Sequence, residues 1–162
     1  MVALARAIGP LAIVIALIGA LIGYLLSLDN EIGTWLLAAF LLGHGWVHIA
    51  YVMPGPARQA VPSGGFAYPF RLEHSWLLGE RSSLRAIGIV LVAITIVTFA
   101  LAALATVALA VPASAWAALV VTGAIASALL LGIFFGPTLI LGLVIDLVLL
   151  VVAVASIWTP IA

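Results

Sequence analysis

The sequence predicts an all-α fold, a polytopic transmembrane helical bundle of about five spans. A single transmembrane domain covers residues 1–162. Of the 162 residues, 67% are hydrophobic and only 6% are charged, whereas about 25% of the residues of a soluble domain are charged. Apolar stretches of about 20 residues, the length that crosses a bilayer, follow one another along the chain. A soluble fold of this size could not cover that much apolar surface, but lipid solvates it.

Five segments have the length and apolarity of a membrane span: residues 8–28, 32–53, 84–111, 113–135 and 139–158. Polar residues at 29–31 and prolines at 54, 56, 112 and 137 separate them, because such residues break helices or belong outside lipid. The first segment is too long for the apolar core of a signal peptide. No small-x-small cleavage site follows it, so we expect an uncleaved first helix.

The arginines predict how the bundle is oriented. Arg6 precedes the first span, and the loop 54–83 with the start of the next span contains the other four, among them Arg71, Arg81 and Arg85. The positive-inside rule then places the N-terminus and this loop in the cytoplasm and the C-terminus outside. The composition is typical of a protein of a bacterial-type plasma (inner) membrane. The same three arginines could hold anionic lipid headgroups, although orientation alone explains them equally well.

Aromatic residues indicate where the chain meets the membrane interface. Leu72 and Trp76 lie four residues apart, which favours a short interfacial helix over residues 71–78. Trp116 and Trp158 are expected as anchors at the outer interface, because indole rings prefer the headgroup region.

Several classes of chemistry are excluded by the residues that are missing. The chain has no cysteine, which rules out disulfides, thiolate metal sites and cysteine nucleophiles. It has no serine elbow of the GxSxG type and no phosphate-binding loop of the GxxxxGK type. No basic stripe is present that could bind nucleic acid.

Three polar residues inside predicted spans need an explanation, because polar groups are costly in lipid. His44 and His48 are four residues apart, so both imidazoles lie on one face of the second span. Asp146 is the only acid within the fifth span. Counted from the cytoplasmic ends of the two spans, His44 and Asp146 lie at similar depths, roughly 15 and 12 Å. We therefore expect the carboxyl group of Asp146 to face the imidazole of His44.

Four interpretations of this group remain open. His44, His48 and Asp146 could bind a divalent metal ion such as zinc, iron or copper. One histidine could be an axial ligand of haem, although two histidines on adjacent turns cannot hold one haem from both faces. The group could be a proton relay or ion site of a small transporter. In the structural interpretation, the histidines bond to backbone carbonyls or to Asp146 and only lock the bundle.

The sequence favours a small, non-enzymatic integral membrane protein, an accessory, structural or assembly component. Few polar groups, the absence of a large extramembrane domain and the lack of a complete catalytic constellation support this interpretation. The alternative is a metal- or proton-handling membrane protein, a transporter or cofactor-binding protein, that uses His44, His48 and Asp146. The expected partners are the lipid bilayer and either further copies of the chain or a larger membrane complex, and no nucleic acid. Pairs of small residues, such as Gly123 with Ser127, predict close helix packing within the monomer.

Overall fold

The computed structural model describes residues 16–17, 19–24, 27, 31–53, 72, 75–81, 83–136, 139–158 and 160. Within this part of the chain the fold is all-helical, and its only β pairing is an isolated bridge between Ser75 and Gly79. The described residues form four complete α-helices. They are α1 (Glu31–Val47), α2 (Ser83–Thr106), α3 (Trp116–Ile133) and α4 (Ile140–Val154). A 3₁₀ turn, His48–Tyr51, extends α1, and another, Ala113–Ala115, leads into α3.

Among the described residues, three helical segments are long and apolar enough to cross a membrane: Glu31–Tyr51, Ser83–Thr106 and Ala113–Ile133. The fourth helix, α4, is also apolar but has only 15 residues. The first predicted span, 8–28, lies largely outside the described residues, although positions 16, 17, 19–24 and 27 are helical. By length and composition, these helices support a membrane location.

Successive helices run antiparallel, as two clusters of buried residues show. One cluster joins the start of α1 to the ends of α2 and α4 through Leu37, Phe99 and Ala153. The other joins the 3₁₀ turn after α1, the start of α2 and the end of α3 through Tyr51, Leu84 and Leu130. Trp116 at the start of α3 belongs to the first cluster, and Leu139 at the start of α4 belongs to the second. Each helix therefore contributes opposite ends to the two clusters, which requires neighbours to alternate in direction.

The outward faces of the helices are apolar. Large aliphatic side chains that are at least half exposed occur along α2, α3 and α4, namely Val90, Val97, Leu129, Leu147, Val151 and Val154. Water would disfavour such a surface, whereas the tails of a bilayer solvate it.

Two helices end earlier than the spans expected from the sequence. α2 stops at Thr106 because Ala108 takes a left-handed conformation with φ of 51°, and the Leu109 N–H then bonds back to the carbonyl of Leu104 (2.9 Å). Ser156, with φ of 50°, ends α4 in the same way. Both ends are Schellman motifs, in which glycine usually takes the left-handed position.

The expectation of an interfacial helix over 71–78 is wrong for the residues that are described. Ser75 and Gly79 exchange backbone hydrogen bonds of 3.1 and 2.9 Å, which closes a turn over 75–79. Gly79 has a φ of +70°, a conformation that glycine adopts without strain. The turn is fixed to the end of α3, because the Trp76 indole donates to the carbonyl of Gly132 (2.7 Å).

Candidate functional site: a His–Ser–Asp network between three helices

Four buried polar side chains from α1, α3 and α4 meet in the bundle. Asp146 is 1% exposed, Ser127 0%, His48 2% and His44 8%. His44 lies in the last turn of α1, and His48 begins the 3₁₀ turn that follows it. Ser127 lies in α3 and Asp146 near the middle of α4. Each helix presents these residues on its buried face, which keeps them away from lipid.

The four side chains form one continuous hydrogen-bonded network. Asp146 Oδ1 lies 2.8 Å from His44 Nε2, and Asp146 Oδ2 accepts a 2.6 Å hydrogen bond from the Ser127 hydroxyl. Ser127 Oγ lies 2.9 Å from His48 Nε2. His48 Nδ1 donates to the backbone carbonyl of His44 (3.0 Å). Both carboxyl oxygens of Asp146 and both ring nitrogens of His48 are thus engaged within the protein.

Aromatic rings pack around the two imidazoles. Phe40 lies parallel to His44 with ring centroids 6.2 Å apart, and Phe99 meets its edge at 5.0 Å. Tyr51 stacks on His48 at 6.5 Å. Gly45 allows Phe99 to come this close, because a Cβ at position 45 would lie 2.8 Å from the Cβ of Phe99. The apolar walls lower the local dielectric constant and strengthen the hydrogen bonds of the network.

Two grooves flank α4 and reach the network from different directions. The first, of about 480 Å³, lies between α1 and α4 and is lined by His44, His48, Gly43 and Gly142 among others. The second, of about 380 Å³, lies between α3 and α4 and is lined by Asp146 with small and aliphatic residues. The histidines therefore border one groove and the carboxyl group borders the other.

The structure brings together His44, His48 and Asp146, the three residues that the sequence singled out inside the membrane. The expected contact between His44 and Asp146 is confirmed. Arg81 and Arg85 are exposed around the start of α2. Arg71 lies outside the described residues, so its predicted role with lipid headgroups stays a prediction, as it does for the other two arginines.

Ser127 is the member of the network that the sequence interpretation missed, since it was assigned to helix packing alone. A signal for it existed. Ser127 precedes Pro137 by ten residues (137 − 127), as His44 precedes Pro54 (54 − 44), so both lie roughly 15 Å from the same end of the bundle.

The geometry of the network matches hydrogen bonding better than metal coordination. No group of three or more histidine, aspartate or glutamate side chains in the described part of the chain is arranged to hold a metal ion. A metal bound by His44, His48 and Asp146 would have to replace the hydrogen bond of one ring nitrogen of His48, because both of these nitrogens are engaged. If that nitrogen were Nε2, Ser127 would lose His48 as a hydrogen-bond partner.

Comparison with protein-family models, with curated proteins and with solved structures finds no match for this chain.

Proposed function

We propose that this chain is a small, non-enzymatic integral membrane protein that acts as a structural or accessory component, with the His–Ser–Asp network fixing the register of its helices. The observation that carries this proposal is that the network joins α1, α3 and α4 through polar side chains bonded to one another. In lipid, apolar surfaces give helices little reason to prefer one partner over another. Interhelical hydrogen bonds can supply that preference, at an average of about 0.6 kcal/mol each.

The proposal includes a five-span bundle with a defined orientation. Residues 8–28 would form the first span, and α4 would complete the fifth with the residues on either side of it. Arg81 and Arg85 are exposed around the start of α2, which supports a cytoplasmic location for this end of the bundle and for the loop 54–83. The N-terminus would then be cytoplasmic and the C-terminus outside the bacterial-type inner membrane. Further copies of the chain or a larger membrane complex would be its partners.

A proton-handling role is the second candidate, favoured by the groove that reaches His44 and His48 between α1 and α4. A purely structural network does not need an opening at its polar groups. The metal-binding version of this alternative is less well supported, because one ring nitrogen of His48 would have to exchange its present hydrogen-bond partner for the ion. The proton-handling version uses the hydrogen bonds as they stand.

Metal content and visible absorbance of the protein, purified in mild detergent, test the structural role. Wild type is compared with His44→Ala and with His74→Ala. The second variant is the control, because it also loses one histidine, but at a position in the loop 54–83. A structural role predicts no stoichiometric metal and no absorption band in any of them, with a lower melting temperature for His44→Ala. Stoichiometric metal or a visible band that His44→Ala loses and His74→Ala keeps would contradict it.

A further inference from the structure

The hydrogens of the network can be assigned from its donors and acceptors. A backbone carbonyl only accepts hydrogen bonds, so the bond from His48 Nδ1 to the carbonyl of His44 requires a hydrogen on Nδ1. The Ser127 hydroxyl has one hydrogen and lies between two partners, Asp146 Oδ2 and His48 Nε2. It can donate to only one of them at a time, so the other partner must supply the hydrogen of the second bond.

When His44 Nε2 is the donor to Asp146 Oδ1, this constraint leaves two arrangements in which every hydrogen bond is made. If Ser127 donates to Asp146, His48 Nε2 must donate to Ser127, and His48 is then an imidazolium ion facing an Asp146 carboxylate. If Ser127 donates to His48 instead, Asp146 must be a carboxylic acid that donates to Ser127, and both partners are neutral. His44 Nε2 donates to Asp146 Oδ1 in both. The two arrangements contain the same number of protons.

We propose that Ser127 relays a proton between Asp146 and His48. In the forward step the O–H bond of the Asp146 acid breaks as an O–H bond to Ser127 forms, while the original Ser127 O–H bond breaks as an N–H bond forms at His48 Nε2. The electron pairs stay on the oxygens of Asp146 and Ser127, and no co-reactant is consumed. The two transfers span distances of 2.6 and 2.9 Å, within the reach of direct proton transfer.

The relay gives the two grooves a connection. His48 borders the groove between α1 and α4, and Asp146 borders the groove between α3 and α4. A proton that passes through Ser127 therefore moves from one side of α4 to the other through the packed interior. This inference rests on the proton-handling candidate and deepens it by naming the path; a structural role needs only one fixed arrangement.

Nitrogen-15 NMR of the protein labelled at histidine tests the relay, because the shift of each ring nitrogen reports whether it carries a hydrogen. The chain has three histidines, and His74→Gln identifies the loop signal. In wild type we expect a protonated Nδ1 of His48, and an Nε2 shift between the protonated and bare values that moves with temperature. Asp146→Asn removes the acid, so Nε2 should sit at the bare value. In Ser127→Ala the Nε2 shift should no longer move with temperature. Ser127→Thr keeps the hydroxyl, so its Nε2 shift should move with temperature as in wild type.

The same Nε2 shift in wild type, Asp146→Asn and Ser127→Ala would overturn the relay. If Asp146→Asn does not fold, the Ser127→Ala and Ser127→Thr pair decides alone. Proton flux into vesicles under an imposed potential tests the proton-handling role separately. Flux that persists in Ser127→Ala retains that role and overturns the relay. If wild type shows no flux but keeps the temperature-dependent shift, the transport role falls and a relay confined to the network is supported.

Discussion

Asp146 of α4 and His44 of α1 meet at 2.8 Å between Oδ1 and Nε2, although 102 positions separate them in the chain. His44 also lines the groove between α1 and α4. Ser127 of α3 holds the other carboxyl oxygen. Asp146 is thus bonded to side chains from two other helices, and changes at this point should affect the whole bundle.

Ser127→Ala should lower the free energy of unfolding by about 1–2 kcal/mol, because it removes two interhelical hydrogen bonds of the size found in membrane proteins. Thr122→Val is the matched control on the same helix, since the exposed Thr122 hydroxyl bonds only to its own helix at the carbonyl of Ala118. The control should stay within about 0.5 kcal/mol of wild type. Unfolding in mixed detergent micelles measures both, and equal effects would contradict a role of Ser127 in joining helices.

Gly45→Ala should destabilise the bundle by about 1–3 kcal/mol, the usual effect of overpacking. The new Cβ would lie 2.8 Å from the Cβ of Phe99, which is attached directly to the backbone of α2 and cannot rotate away. Gly43→Ala is the control, because a Cβ there meets nothing within 4 Å. It should leave stability unchanged or raise it by up to about 1 kcal/mol, the helix-propensity gain of alanine over glycine. Thermal unfolding that ranks the two variants in the opposite order would show that α1 and α2 pack differently.

The sequence alone could predict much of the network, because depth in a membrane follows from counting residues along a helix. Counting brought His44 to the level of Asp146, and the contact is present. Ser127 was not predicted as part of the network, because a serine among small residues is typical of close helix packing. Each oxygen of the buried Asp146 carboxyl group needs a hydrogen-bond partner, and that requirement points to a third polar residue.

The ends of the helices were harder to predict than their existence. Ala108 and Ser156 take the left-handed positions that close α2 and α4, and neither residue type signals such an end as glycine would. Trp116 was expected at the interface, yet it is 1% exposed and packs against Trp158 with ring centroids 5.0 Å apart. A tryptophan in the sequence predicts an indole ring at the interface. The sequence does not show that a second indole ring packs against the first and buries it.

Ser75→Ala should loosen the turn that precedes α2. The Ser75 hydroxyl donates to the carbonyl of Ile133 (2.6 Å) and accepts from the amides of Leu77 and Leu78. Its loss leaves these groups without their partner and should speed amide hydrogen exchange at both leucines. The control is Leu77→Ala, because this side chain is 59% exposed. In this control the amide of Leu78 should exchange as fast as in wild type. Unchanged exchange in Ser75→Ala would contradict the anchoring of the turn to α3.

Cysteine labelling can test the orientation of the bundle. The chain has no cysteine of its own, so only the introduced thiol reacts. Glu80→Cys and Leu109→Cys place single thiols at exposed positions before and after α2. The proposed topology predicts that a membrane-impermeant maleimide labels position 109 from outside intact cells, and position 80 only after the membrane is opened. Labelling of both from the same side would mean that α2 does not cross the membrane, and exchanged sides would mean an inverted bundle.

The coupling between His44 and Asp146 tests most directly the claim that a polar network holds the helices together. The free energy of unfolding is measured for wild type, His44→Ala, Asp146→Ala and the double variant in the same detergent. We predict a coupling energy of about 0.6–2 kcal/mol, the range of interhelical hydrogen bonds in membranes, so the double variant should be more stable than the sum of the single effects implies. Additive effects, with a coupling energy of zero, would contradict the central role of this contact.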